Sequence, residues 1–165
     1  MCLRFRRSDN VVRESLRCQE TPTQMSMPFD IVSHQGVGEI KFGQSPSEVR
    51  GLLEPPFRSF KRTPASAYPC DYFESLALFV YYGENGAEAI EFAAPAKVFF
   101  QHIDLLQLNF SDLTTQLRKE DAALTVEDDG CTSTKLGIGA YAPQAGKDPA
   151  SKPESIIVFA KGYYD

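Results

Sequence analysis

The spacing of hydrophobic positions along this chain changes period several times, and each change predicts an element. Val49, Leu52 and Leu53 fall on one side of a helix, the stripe expected of a helix packed on a core. Its start is well marked. Ser45 is placed as the N-cap, Pro46 as the first helical residue, and Glu48 three residues after the cap. Together they spell a capping box with an acid at the positive end of the helix dipole. The Pro55-Pro56 pair predicts the end of the helix. Before it, Phe29-Asp30-Ile31-Val32 predicts a short strand, Ser33 to Gly38 a loop, and Glu39 to Phe42 a strand leading into the helix.

After the helix, the prolines between Pro55 and Pro69 predict an irregular connection, with Phe57 and Phe60 pinning it to the core. Phe73 to Tyr82 is rich in aromatic and aliphatic residues and predicts one long strand. Glu84-Asn85-Gly86 is a hairpin signal, because Asn-Gly tolerates the positive φ such turns need. Ala87 to Phe92 alternates polar with apolar, the two-residue period of a half-buried strand, and Lys97 to Phe100 reads as another. The pattern then starts again. Asn109 caps a second helix running to Leu117, with Asp112, Leu113 and Leu117 in the places of Glu48, Val49 and Leu53, an offset of 64 residues. Leu124 to Val126, Thr132 to Tyr141 and Ser155 to Ala160 predict further strands, with a Pro/Gly/Lys/Ser loop from Pro143 to Pro153.

These elements predict an α+β fold: two helices on one face of a mostly antiparallel sheet, built from two similar strand-helix-strand-strand halves. The halves span about 28–100 and 101–165 and form a single domain from residue 28 to 165. Residues 1–27 are Arg-rich and lack a continuous apolar stretch, so they are expected to be a disordered leader or an over-long start preceding Met25 or Met27.

The run Gly38-Glu39-Ile40-Lys41-Phe42-Gly43-Gln44-Ser45-Pro46-Ser47-Glu48-Val49 resembles the opening of small bacterial repeat proteins of the β-lactamase-inhibitor-protein and outer-membrane-assembly-lipoprotein type. In those, a short strand, a Gly-Met/Gln-Ser/Thr-x-x-Glu-Val turn and a helix precede antiparallel strands. The resemblance implies a binding sheet rather than an active site. Two departures stand out: no lipoprotein signal ending in a Cys, and no Gly-Gln-Ser wording in the second half. The first leads to the expectation of a cytoplasmic protein.

Charge narrows the partner. The 165-residue chain carries a net charge of −5; residues 1–27 hold five basic and three acidic residues, leaving 12 and 19 from residue 28 on, a charge of −7. An acidic body argues against nucleic acid, whose phosphates require Lys and Arg, and suits a basic protein partner. No apolar stretch is long enough to span a membrane as a helix, and no membrane partner is expected.

Candidate chemistry is sparse. Cys2, Cys18, Cys70 and Cys131 form no C-x-x-C pair, and His34 and His102 have no metal-ligand spacing to them. No metal or other cofactor is expected, and the thiols are read as free, although Cys70 and Cys131 begin equivalent strands and could meet. Asp71, Glu74, Glu127, Asp128 and Asp129 read as solvated strand ends and a turn at Asp129-Gly130 rather than an acid/base or metal cluster. Neither histidine sits beside a nucleophile, so no catalytic residue is assigned. Gly36-Val37-Gly38 and Gly137-Ile138-Gly139 lack the third glycine of a phosphate loop and read as bends.

The aromatic residues are more informative. Alternation sends about half of the strand tyrosines to each face of a sheet. With helices on one face, the other would expose tyrosines beside acidic residues, the anchor-and-rim pattern of a protein interface. The expected partner-binding residues are Asp71, Tyr72, Tyr81, Tyr82, Glu127, Asp128, Asp129 and Tyr141. The expected function is non-catalytic: binding and neutralising a protein, as an immunity or inhibitor protein does to a basic bacterial toxin domain. The alternative is a small-ligand-binding module, or an enzyme, with a pocket between sheet and helices.

Overall fold

The computed structural model describes residues 29–53 and 56–164; the predicted leader, with Cys2 and Cys18, lies outside them. The first segment forms β1 (Phe29–Val32), β2 (Gly36–Val37), β3 (Ile40–Lys41) and helix α1 (Pro46–Leu53). Four strands follow: β4 (Arg58–Phe60), β5 (Cys70–Phe73), β6 (Leu78–Gly83) and β7 (Gly86–Ala93). Then come β8 (Val98–Phe100), β9 (Ile103–Asp104), helix α2 (Phe110–Glu120), β10 (Thr125–Glu127), β11 (Gly130–Ser133), β12 (Ile138–Tyr141) and β13 (Ser155–Phe159). The fold is α+β with mostly antiparallel sheets. No helix among the described residues is long and apolar enough to cross a membrane.

Both helix starts form as their sequences dictate. The Ser45 backbone N–H donates to Glu48 Oε2 at 3.1 Å while the Glu48 N–H donates to Ser45 Oγ at 3.2 Å, a closed capping box. At α2 the Asp112 N–H donates to Asn109 Oδ1 at 2.8 Å. A helix of eight residues is too short to persist alone in water. What holds α1 is burial of Val49 and Leu53, each contributing about 1.5–3 kcal/mol, and a side-chain contact described below.

The strands divide between two sheets, where one was expected. The larger has eight strands in the order β10-β11-β12-β13-β7-β6-β5-β4, every neighbouring pair antiparallel. The smaller has the order β3-β2-β1-β8-β9, with β1 and β8 parallel. Strands 29–32 and 98–100 thus form where their composition predicts, but they pair with each other.

Two runs expected as single strands are hairpins. Between Phe73 and Leu78 the chain makes a 3₁₀ turn, Glu74–Leu76, and Ala77 takes a left-handed φ of 52°. Phe73 and Leu78 therefore face each other across strands, both fully buried. The run from Thr132 to Tyr141 folds back in the same manner, pairing Ser133 with Ile138 around Gly137 at φ 72°. In each case a continuous strand would have sent one polar residue, Ser75 or Lys135, into the core; instead Glu74, Ser75, Thr134 and Lys135 lie exposed in the turns. At the predicted Asn-Gly hairpin the positive φ, 98°, falls on Gly86. A Cβ there would come within 2.6 Å of the carbonyl oxygens of Gly43 and Gln44, so this glycine lets the hairpin seat against the turn that starts α1.

Cross-strand partners share a face, which separates the large sheet cleanly. On one side Phe73, Leu78, Val80, Ile90, Phe92, Ile138, Ile156 and Val158 are fully buried. They share a single core with Val49 and Leu53 of α1, Phe110, Leu113 and Leu117 of α2, and Phe29, Val37, Ile40 and Val98 of the small sheet. The space between sheet and helices, where the ligand-binding alternative would put its pocket, is occupied by these side chains. Of Phe57 and Phe60, expected to pin their connection to this core, Phe57, 40% exposed, does set its ring 5.7 Å from the buried Phe73, whereas Phe60, 42% exposed, lies on the opposite face.

Candidate functional site

The helices and the small sheet place their buried side chains in the core just described, leaving the second face of the large sheet to a different population. Alternation puts Arg58 and Phe60 of β4, Cys70 and Tyr72 of β5, Phe79 and Tyr81 of β6, Ala89 and Glu91 of β7, and Ile157 and Phe159 of β13 on this side. The rings form a continuous row. Tyr72 stacks on Phe79 with centroids 4.4 Å apart, Phe60 meets Phe79 edge-on at 6.2 Å, and Tyr81 lies parallel to Phe79 at 6.3 Å. The tail adds Tyr163 and Tyr164, whose centroids lie 6.0 and 4.8 Å from Phe159.

Polar groups on this face are already organised. Glu91 accepts the Tyr81 hydroxyl proton at 2.6 Å and that of Ser155 Oγ at 2.8 Å. Arg62, from the loop after β4, holds its guanidinium 4.4 Å above the Tyr81 ring, a cation–π contact. Arg58 lies 5.9 Å over Tyr72 and bonds Glu74 at 3.3 Å. Toward β10 the face changes character: Thr125, Gly130, Thr132 and Gly139 are small, with Glu127 and Tyr141 exposed among them.

Of the predicted binding residues, Tyr72, Tyr81, Glu127 and Tyr141 lie on this face, although Tyr81 is only 8% exposed. Asp128 and Asp129 are exposed in the turn at its β10–β11 end. Asp71 and Tyr82 do not belong with them. Asp71–Tyr72 and Tyr81–Tyr82 are neighbours in sequence, and a strand can present only one of each pair to a given side. Asp71 is fully buried on the core side, where it accepts two bonds from Arg50 of α1, at 2.8 and 2.9 Å, and one from the Tyr82 hydroxyl at 2.9 Å. The hydrogen bond to Asp71 raises the Arg50 pKa. This is a latch between helix and sheet.

The same alternation separates the two strand cysteines. Cys70 faces the aromatic side and Cys131 the core, both free. Burial pushes the Cys131 thiol up to about 11, the opposite of an activated nucleophile. His102 is exposed in the β8–β9 turn, and His34 Nε2 lies 2.7 Å from the Lys135 carbonyl oxygen. The carboxylates considered for metal or acid/base work are spread from β5 to the β10–β11 turn, and the described residues contain no cluster able to hold a metal ion. Arg58, Arg62, Glu91 and Phe159 were not among the expected site residues, and Tyr163 and Tyr164, which belong to the aromatic population of the chain, lie in turns after β13 and not in a strand. Lys61-Arg62 inside a Thr/Pro loop was the available signal for the cations.

Tyr81 and Tyr82 have their pKa values raised, first by burial and then by hydrogen bonds to Glu91 and Asp71. The unfolded chain will release these protons near the ordinary tyrosine value of about 10, while the folded protein retains them. Below about pH 10 these two hydroxyls leave stability unchanged, and above it they lower it by about 1.4 kcal/mol per pH unit per tyrosine; the raised thiols of Cys70 and Cys131 begin their own fall from about pH 9. Urea midpoints measured from pH 9 to 11.5 should show this fall, and the Tyr81→Phe/Tyr82→Phe variant should show a shallower one above pH 10, the remainder arising from Tyr163, Tyr164 and the two buried thiols. Equal slopes in the two proteins would refute the assignment.

Comparison with family models, curated proteins and solved structures finds no match.

Proposed function

We propose that this chain is a non-catalytic protein-binding protein that neutralises its partner, as an inhibitor or a bacterial toxin immunity protein does, and that the aromatic face of the eight-stranded sheet is the contact surface. One observation carries the reading: a sheet with a complete core on one side keeps a row of stacked rings on the other, with Phe60, Tyr141 and Tyr164 between 42% and 56% exposed. Apolar rings left in water cost free energy unless a partner covers them, and aromatic anchors dominate protein interfaces. The acidic end at Glu127, Asp128 and Asp129 suits a basic site on that partner.

The strand order supports the finer reading of two similar halves. Each capped helix precedes four consecutive antiparallel strands, β4 to β7 and β10 to β13, and the two runs join through β7 and β13. That arrangement agrees with the resemblance of residues 38–49 to inhibitor-type repeats. The test is affinity capture from the native host with the full chain as bait. One stoichiometric protein whose own activity is suppressed on binding is the expected result. No retained protein, with a co-purifying small molecule in its place, would overturn the proposal in favour of ligand binding.

A further inference from the structure

The aromatic face is not uniform in charge, and its polarity specifies the partner more closely. The body from residue 28 on is strongly acidic, yet Arg58, Lys61 and Arg62 fall within five residues and are all exposed. Two of them hold their guanidinium groups over rings of the face: Arg62 over Tyr81, Arg58 over Tyr72. Among the described residues Arg62 has no carboxylate within salt-bridge distance, and the Arg58–Glu74 pair is exposed on both sides, 71% and 75%. An exposed pair of this kind contributes about 0–1 kcal/mol, so a partner's carboxylate can replace Glu74 at little cost. Glu91, the acid nearest the middle of the face, already accepts two hydroxyl protons and is engaged within the protein.

Arg58 also stands between two hollows. One is lined by Pro56, Phe57, Tyr72, Ser75 and Glu74, the carboxylate that a partner's acid would displace from Arg58, and the other by Ser59, Phe60, Tyr72 and Phe79. Rings wall both, and a guanidinium is shared at their border.

We infer that the β4–β5–β6 end of the face takes a partner loop in which acidic side chains are flanked by apolar ones. The carboxylates meet Arg58 and Arg62, and the apolar neighbours fill the hollows on either side of Arg58. A planar guanidinium already held against a ring keeps its fork of donors oriented for a carboxylate. The face is then bipolar, cationic at β4 and anionic at the β10–β11 turn, and binds its partner in one orientation. The inference rests on the proposed function, since it specifies the occupant of the same face.

A phage-displayed library of disulfide-constrained random loops, panned against the full chain at about 0.15 M salt (where surface charges act over about 8 Å), tests it. The expected selection is Asp or Glu beside Phe, Leu or Tyr. A synthetic loop of that sequence should lose about tenfold or more in affinity for the Arg58→Glu/Arg62→Glu variant. Both arginines are exposed, so the variant should remain folded, its thermal midpoint lowered only by the loss of two surface cation–π contacts and one exposed ion pair. Selection of Lys- or Arg-rich loops that still depend on Tyr72 and Phe79 would overturn the acidic partner while leaving the face as the binding surface. Loops that bind Tyr72→Ala/Phe79→Ala protein as well as the parent would overturn the face itself.

Discussion

Replacing Asp71 with Ala should lower the unfolding free energy by about 3–5 kcal/mol, a large part of the roughly 5–15 kcal/mol typical of a folded domain. Asp71 has no exposure to solvent and serves Arg50 twice and Tyr82 once. Its removal leaves the Arg50 guanidinium, on a side chain 32% exposed, and the buried Tyr82 hydroxyl without their partner. The cost arises from those orphaned groups more than from the lost attraction, because burying a charge pair carries a desolvation penalty of its own. It follows that Arg50→Met/Asp71→Leu/Tyr82→Phe, which removes both charges and the buried hydroxyl and restores apolar volume, should recover most of the loss. Urea unfolding measures both. A loss below about 1 kcal/mol for Asp71→Ala would show that the latch does not hold α1.

The second large effect is on binding. Tyr72→Ala and Phe79→Ala each remove a ring from the best-stacked pair on the aromatic face, 4.4 Å apart at 21°. If these rings are anchors, each substitution should weaken partner binding by about 2 kcal/mol, or roughly thirtyfold. Because the rings touch, the double variant should fall short of the product of the two single effects. Titration calorimetry with the captured partner reads this, and the thermal midpoint of each variant controls for lost packing. Affinities within about threefold of the parent would exclude the pair as anchors.

What the sequence disclosed was what short-range chemistry decides. Ser45 with Glu48 and Asn109 with Asp112 are local devices: a side chain and a backbone N–H three residues apart need no tertiary partner to find each other. The two hairpins hidden in 73–82 and 132–141 were missed because their turns are short and sit inside apolar runs. Glu74-Ser75 in the first and the polar Thr134-Lys135 before Gly137 in the second mark where the chain turns. Sheet membership was invisible for a different reason. Phe29–Val32 looks like any buried strand, and its parallel pairing with Val98–Phe100 joins segments some seventy residues apart. The candidate face was legible in outline, since alternation guarantees a second side to a helix-covered sheet. The membership of Asp71 and Tyr82 was misread because the eight residues were grouped by neighbourhood and not by parity. Arg62 could not have been placed at all, because a loop residue's position over Tyr81 depends on how β4 and β5 pair.

The most direct test of the account is hydrogen exchange on the protein alone and on its complex with the captured partner. The account predicts that added protection will concentrate in β4 to β6, in the loop carrying Arg62 and in the tail at Tyr163 and Tyr164. The exposed backbones of α1 and α2 should exchange as before. Protection appearing on the helices and the small sheet, with the aromatic face unchanged, would contradict it.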